Sequence, residues 1–253
     1  MLSKALIKQI RSLQIKKFRD SEHLFVVEGP KMLVELINSP KWKVDHIYST
    51  DESLVEEICS SAPFSIISER ELEQISGLST PNKVLATVHY EETHRDKKNN
   101  FSGFYILLDK IQDPGNLGTI IRIADWFGVD GLICSNESVD FYNPKVIQAS
   151  MGSVFRIPIQ YVNLTNFLDD NSKTAKLPVY AAMLEGESIY GTNLPKDGFL
   201  LMGNESKGVD SLFNNFITNK LHIPAGKSNG PQAESLNVAI ATAIICSEWA
   251  RNK

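Results

Sequence analysis

The chain has 253 residues, 42% of them apolar and 22% charged, with a formal net charge of −4. Such a length and composition fit one large or two smaller globular cores and exclude a disordered or fibrous chain. No apolar run approaches the roughly 18 residues that cross a bilayer, and the basic N-terminus lacks a signal-peptide core, so no membrane partner is expected and a cytoplasmic location is.

Leu2, Leu6, Ile10 and Leu13 recur at helical spacing and predict an amphipathic N-terminal helix. Residues 1–19 carry Lys4, Lys8, Arg11, Lys16, Lys17 and Arg19 and no acid. Such a segment is either a solvated face or a phosphate-binding surface on an otherwise acidic protein. Leu24 to Gly29 (LFVVEG) reads as a strand entering a helix near Lys31 to Ile37. VDHIYS (44–49), FSIIS (64–68) and VLATVHY (84–90) read as further strands, with DESLVEEICSS and ERELEQI as helices between them. The alternation is that of an α/β domain. The stretch from Glu91 to Gly103 is polar and without periodicity, so it is expected to be a linker, 91–103, between domains spanning 1–98 and 104–253.

The second half opens with FYILLD (104–109), an apolar strand of the buried parallel type. A helix is predicted from about Leu117 to Phe127, a strand at VDGLICS (129–135) and a short helix at PKVIQAS. LPVYAAM (177–183), GFLLMG (198–203) and LHIP (221–224) read as strands, and a final helix runs from about Leu236 to Arg251. Cys59, Cys134 and Cys246 form no CxxC pair or zinc spacing, and the five histidines match no metal motif. Free thiols in a reducing compartment and no metal are expected.

Three segments share one construction: DPGNLGTIIR (113–122), LLMGNESKG (200–208) and IPAG…AESLN (223–237). In each, a strand-like run ends in a loop rich in Gly, Asn, Ser or Glu and a helical pattern follows. Loops at the carboxyl ends of parallel strands line the ligand crevice of an open α/β sheet. Taken singly, each polar residue has a structural explanation. Asn116 suits a helix N-cap, Glu205 suits a helix N-terminus, and Ser235 suits an N-cap with Asn237 in the first turn. Arg122 is placed to pair with Asp125, three residues on. Gly203 and Gly208 suit a loop on which a ligand lies against backbone. Jointly, an Arg, a Glu, a Ser and two Asn gather at strand ends without a catalytic His, Cys or metal set. That favours transfer chemistry governed by positioning over nucleophilic protein catalysis. The spacing fits neither GxGxxG nor a P-loop, which disfavours a nucleotide-dependent oxidoreductase.

N-L-G-T-I-I-R-x-A, then L-x-M-G-N-E-x-K-G, then I-P-x-G…E-S-L-N-V-A-x-A resemble motifs 1, 2 and 3 of the SpoU-type (TrmH-like) 2′-O-ribose RNA methyltransferases of the SPOUT class. The resemblance covers about residues 104–253. The first half is similar, more loosely, to that family's small RNA-binding domain of ribosomal-protein-like α/β fold. Family members often show a glutamine–glycine pair where this chain has Asn82-Lys83. The resemblance implies a trefoil-knotted C-terminal domain with a parallel sheet flanked by helices, preceded by a small α/β RNA-binding domain. It implies S-adenosylmethionine as cofactor, structured RNA as partner with ribosomal RNA favoured over transfer RNA, and a homodimer whose active site draws on both subunits. It makes Asn116 and Arg122 the motif 1 catalytic residues, Glu205 the motif 2 acid, and Ser235 and Asn237 the motif 3 pair. The methyl donor would rest on Leu201, Met202, Gly203, Ile223, Pro224, Ser235 and Leu236. Arg122 would stabilise the developing alkoxide and grip the adjacent phosphate, while Glu205, Asn116, Ser235 and Asn237 orient it and the ribose. Competing expectations are an inactive RNA-binding protein on the same fold and a transfer RNA 2′-O-methyltransferase.

Overall fold

The computed structural model describes residues 1–59, 61–90, 101–226 and 233–251. Most of the expected linker, 91–100, lies outside the described residues, as does 227–232 within the third motif. By contacts the chain divides into two units, Met1–His94 with Asp140–Arg156, and Arg95–Val139 with Ile157–Lys253.

The first unit runs α1 (Lys4–Ser12), α2 (Lys16–Glu22), β1 (Leu24–Glu28), α3 (Pro30–Ile37), β2 (Lys43–Ser49), α4 (Glu52–Cys59), β3 (Phe64–Ile66), α5 (Glu69–Ile75) and β4 (Val84–His89). Its sheet has the order β1-β4-β2-β3, with only β2 and β3 parallel. The apolar stripe of α1 works as its spacing predicts. Ile10 and Leu13 pack with Leu72 and Ile75 of the α5 side against Leu24, Val26, Tyr48 and Leu85. A capping box starts α5: Ser68 accepts from the Glu71 N–H while the Glu71 carboxylate accepts from the Ser68 N–H. Glu71 also accepts the Leu2 N–H at 2.6 Å, and these backbone donors hold its carboxyl down to about 2. Lys83 adopts φ +57, a left-handed conformation in which glycine is unstrained, and its ammonium pairs with Asp51 at 2.9 Å.

The chain continues in the second unit with β5 (Phe104–Leu108), α6 (Pro114–Trp126) and β6 (Gly131–Ser135). Then α7 (Pro144–Ser150) and a 3₁₀ turn, Ser153–Phe155, belong to the first unit. The sequence placed this segment with the second half of the chain. Its contacts explain the difference. Arg19 of α2 is 1% exposed and meets Asp140 at 2.7 Å, Tyr90 stacks on Tyr142 at 4.1 Å, and the Trp42 indole donates to the Phe155 carbonyl at 3.3 Å. Arg19 is thus no part of a solvated basic face, whereas Lys4, Lys8, Arg11, Lys16 and Lys17 are exposed.

The second unit closes with β7 (Ile159–Val162), α8 (Leu164–Lys173), β8 (Val179–Ser188), β9 (Gly198–Met202), β10 (Asn219–His222) and α9 (Val238–Arg251). Its six strands are all parallel, in the order β10-β8-β9-β5-β6-β7. β5 and β9, buried throughout but for Tyr105, lie in the middle, and Leu107, Ile133, Phe199 and Leu201 form the core with Leu164 and Leu168 of α8. Helices α6 and α9 pack on each other. Because the strands are parallel, the loops after β5, β9 and β10 all leave the same edge of the sheet.

α2, β7 and α8 escape the sequence reading. α2 is nearly all charged, and β7 is a half-buried edge strand of four residues, so neither carries a strong apolar period. Two helix starts also differ from expectation. Asp113 is the N-cap of α6 with Pro114 at the first position, so the helix begins three residues before Leu117. Helix α9 begins at Val238, with Asn237 and not Ser235 before it.

Arg19 and Asp140 are a buried pair, with side chains 2% and 14% exposed. Removing one partner of such a pair strands the other charge and costs about 3–5 kcal/mol. Arg19→Ala is therefore expected to lower stability by about that much in urea unfolding; a loss below about 1 kcal/mol would show that the pair does not hold α2 to the 140 segment.

Candidate active site

The loop after β5 is fixed at every residue. Lys110 takes φ +54, a left-handed conformation costing a non-glycine residue about 1–2 kcal/mol. Surrounding bonds hold it there: its N–H donates to Ser135 Oγ at 2.9 Å, its carbonyl accepts from Asn204 Nδ2 at 2.8 Å, and its ammonium meets Asp210 at 2.9 Å. Next, the Ile111 N–H donates to Ser138 Oγ at 3.1 Å and its carbonyl accepts the Val139 N–H at 2.8 Å.

The Glu205 carboxylate accepts the N–H groups of Gln112 and Asp113 at 3.5 and 3.2 Å, Asn116 Nδ2 at 3.1 Å and Asn204 Nδ2 at 3.3 Å. It therefore sits at the positive end of α6, where the helix dipole favours a negative charge. Asn116 is in the first turn of α6, its N–H capped by Asp113 Oδ1 at 2.8 Å, so its side chain is not needed as a cap. Its Oδ1 accepts from Asn237 Nδ2 at 2.9 Å. Asn237 in turn caps α9, its Oδ1 accepting the N–H groups of Ala239 and Ile240 at 2.9 and 3.3 Å. The amide orientations follow from this chain of bonds. With Oδ1 of Asn237 turned to the helix, its Nδ2 faces Asn116; with Oδ1 of Asn116 so engaged, its Nδ2 faces Glu205.

Three of the five motif residues are thus joined, one from each strand-end loop. The other two stand apart. Arg122 is exposed on α6, and among the described residues its side chain makes no hydrogen bond or ion pair, with Asp125 or any other. It lies six residues beyond Asn116, about 9 Å along the axis and about 120° around it. Ser235 is exposed in the bend before α9. Of the expected donor-binding positions, Leu201 and Met202 are buried at 0% and 2% exposure, so they offer a ligand backbone groups only. Ile223 is half-buried and Pro224 exposed, and Leu236 is 49% exposed.

The two glycines of the second loop answer to the loop itself. A Cβ on Gly203 would run into the backbone of Gly208 and Val209, and Gly208 takes φ +70. The backbones of Asn204 and Gly208 exchange hydrogen bonds at 3.0 and 2.9 Å, which closes the turn. Asn204, which sequence reasoning passed over, ties this turn to the first loop. Its signal was its position between a glycine and an acid, where asparagine forms turns through its own side chain.

Asp109 lies beneath the site. It is 1% exposed, its N–H donates to the Met202 carbonyl at 2.9 Å, and its carboxyl accepts the Asp210 N–H. Its Oδ1 has no partner among the described residues. Burial pushes its carboxyl above the usual range, against the pull of Lys110. Among the described residues, no group of three His, Cys, Asp or Glu is placed to hold a metal, and no helix is long and apolar enough to cross a membrane.

Residues 103–247 match the model of the SpoU rRNA methylase family, and residues 4–86 that of the MRM3-like substrate binding domain. The chain belongs to the SpoU rRNA methylase family. It is 30% identical over 94% of its length to the 23S rRNA (guanosine(2553)-2′-O)-methyltransferase RlmP of Bacillus subtilis, of which 93% is covered. Among solved structures, a putative RNA methyltransferase of the TrmH family from Porphyromonas gingivalis superposes with a TM-score of 0.88 at 36% identity, each chain covered in full. An AdoMet-bound rRNA methyltransferase from Sinorhizobium meliloti gives a TM-score of 0.85 at 31% identity, covering 99% of this chain and 96% of that one.

Because the raised carboxyl of Asp109 ionises less readily folded than unfolded, the folded state binds the extra proton. Stability is then lost as pH rises from the unfolded value, about 3.9, through the raised one. Asp109→Asn removes that loss. Thermal melts across pH are expected to shift in favour of the variant as pH rises from acid to neutrality; a difference independent of pH would show that Asp109 is not raised.

Proposed function

We propose that this chain is an S-adenosylmethionine-dependent RNA methyltransferase that acts on a ribose 2′-hydroxyl of structured RNA, with ribosomal RNA as the substrate. The observation that carries the reading is the relay from Asn237 through Asn116 to Glu205, which fastens three strand-end loops into one site. The likeness over nearly the whole chain to a named 23S rRNA 2′-O-methyltransferase and to an AdoMet-bound rRNA methyltransferase supports it.

The residues fit the donor. Ile223 and the half-exposed Leu236 offer apolar faces suited to an adenine, and the ends of β9 and β10 bring backbone groups to the same edge. When bound, S-adenosylmethionine supplies an electrophilic methyl carbon on a sulfonium. The chain must place the hydroxyl in line with that carbon and stabilise the oxygen as its proton leaves. Orientation of this kind is worth on the order of 7–11 kcal/mol. Arg122 carries a charge that persists at any working pH, so it stabilises the alkoxide and holds the neighbouring phosphate. Ser235 and Asn116 bind the ribose; Glu205 and Asn237 hold Asn116. The requirement for a 2′-hydroxyl selects RNA over DNA at the reacting position.

The exposed face of α1, with Lys4, Lys8 and Arg11 free of ion pairs among the described residues, is assigned to phosphate contact. Trp126 of α6 and Ile240 of α9, 84% and 52% exposed on two helices that pack together, are assigned to the interface of a homodimer. In that dimer Arg122, remote from its own relay, serves a site shared between copies. The trefoil knot and a cytoplasmic location belong to the same reading.

Two experiments test it. Ribosomal RNA from cells lacking the protein is expected to lose a 2′-O-methyl group at one nucleotide; a site lost from transfer RNA, with ribosomal RNA unchanged, would overturn the choice of substrate. Arg122→Ala is expected to abolish methyl transfer while donor affinity measured by calorimetry stays close to wild type. Activity above a small fraction of wild type would remove Arg122 from the chemistry.

A further inference from the structure

We infer that Asn204 is a positioning residue of this methyl-transfer site, seating the loop after β5 and the Glu205 carboxylate by a single amide; the inference rests on the proposed function for its link to turnover. The Asn204 side chain uses its full hydrogen-bonding capacity. Its Oδ1 accepts the N–H groups of Ser206 and Lys207 at 3.0 and 3.2 Å. Its Nδ2 donates one hydrogen to the Lys110 carbonyl at 2.8 Å and the other to Glu205 Oε2 at 3.3 Å. Two backbone donors on one side leave the amide a single orientation, so the NH₂ group must face the carbonyl and the carboxylate.

Each of those two bonds acts on the site. The bond to Lys110 steadies a residue held at φ +54, on which the path from Asp109 to Asp113 depends. The bond to Glu205 fixes the oxygen that also faces Gln112 N, while the other oxygen takes Asp113 N and Asn116 Nδ2. Asn204 therefore acts through Glu205 on Asn116, without touching the substrate. Aspartate and serine each supply only part of this pattern. Aspartate keeps the acceptor for the turn but replaces the donor with an oxygen aimed at a carbonyl and a carboxylate. Serine can cap the turn but cannot also reach both Lys110 and Glu205.

Asn204→Asp is the informative substitution, since it retains the turn and reverses the polarity toward Glu205. Two carboxyl groups in contact keep one proton between them to a higher pH than either would alone. That proton restores a donor. Its methyl transfer, compared with wild type at each pH, is expected to show a kcat lowered about tenfold or more at alkaline pH. KM for RNA and the donor dissociation constant should change by less than about threefold, and the activity ratio should recover as pH falls through the titration of the pair. Amide exchange is measured on the same proteins: Gln112 and Asp113 should lose protection while Ser206 and Lys207 keep it. A ratio near one at alkaline pH, or a loss that does not recover with acid, overturns the inference. Should wild type transfer no methyl to RNA, the functional reading fails, and the exchange data alone decide: unchanged protection at Gln112 and Asp113 overturns the positioning role, and its loss upholds it. Should Asn204→Asp not fold, Asn204→Ser is read by the same kinetics and exchange, without the recovery in acid.

Discussion

One carboxylate holds the candidate site together. Glu205 leaves the end of β9 and takes N–H groups from the loop after β5, from Asn116 in α6 and from its neighbour Asn204. Without it, two backbone N–H groups at the head of α6 and the amide of Asn116 would lose their shared acceptor. The helix dipole and the charge reinforce each other, so the contact is stronger than a neutral hydrogen bond of the same length. Asn237 then extends the link to α9, a helix reached only after β10. Residues 121 positions apart in sequence are thereby joined through one side-chain bond.

This arrangement depends on the parallel sheet. Parallel pairing of β9 with β5, in register from Phe104 with Gly198 to Leu108 with Met202, brings the ends of both strands level. Their following loops must then share one edge, and short polar side chains suffice to span the gap. An antiparallel pair would have sent the loops to opposite ends. The buried Asp109, bonded through its N–H to Met202, marks the point where the strands end and the loops begin. Leaving a carboxyl there with one oxygen unpartnered among the described residues works against stability, a pattern expected where a site and not a core sets the residue.

The sequence carried the location of the site more clearly than its internal wiring. Apolar runs such as FYILL and GFLLM announced the central strands, and the three polar loops after strands announced the crevice. What could not be read was which residue caps which helix. Asp113, Asn116, Ser235 and Asn237 are all of capping type, and local pattern cannot rank them. The structure assigns the caps to Asp113 and Asn237, which frees the Asn116 side chain for Glu205. Gly203, expected to let a ligand lie on its backbone, also permits a close approach of two backbones across one turn, which local pattern did not announce. Arg19 looked like one more surface cation, because burial of an arginine depends on a partner 121 residues away, Asp140. The segment from Asp140 to Arg156 joined the first unit for the same reason: aromatic contacts with Trp42 and Tyr90 leave no periodicity in the segment itself.

The wiring also bears on where the substrate's proton goes. Glu205 is the only acid of the relay, and both its oxygens already face N–H donors, so in the proposed reaction its part is to hold loops. Arg122 cannot collect the proton, since a guanidinium stays charged in proteins. Asn116, Asn237 and Ser235 are not bases at neutral pH. In the proposed reaction the protein therefore contributes alignment and positive charge, and the proton leaves to groups outside this set, a substrate phosphate or water. That division suits the geometry of α6, which presents Asn116 to the relay in its first turn and Arg122 to open surface six residues later. In the proposed dimer the helix thus offers the ribose contact to its own relay, placed by a cap, a dipole and a single carboxylate, and its positive charge to the site shared with the second copy.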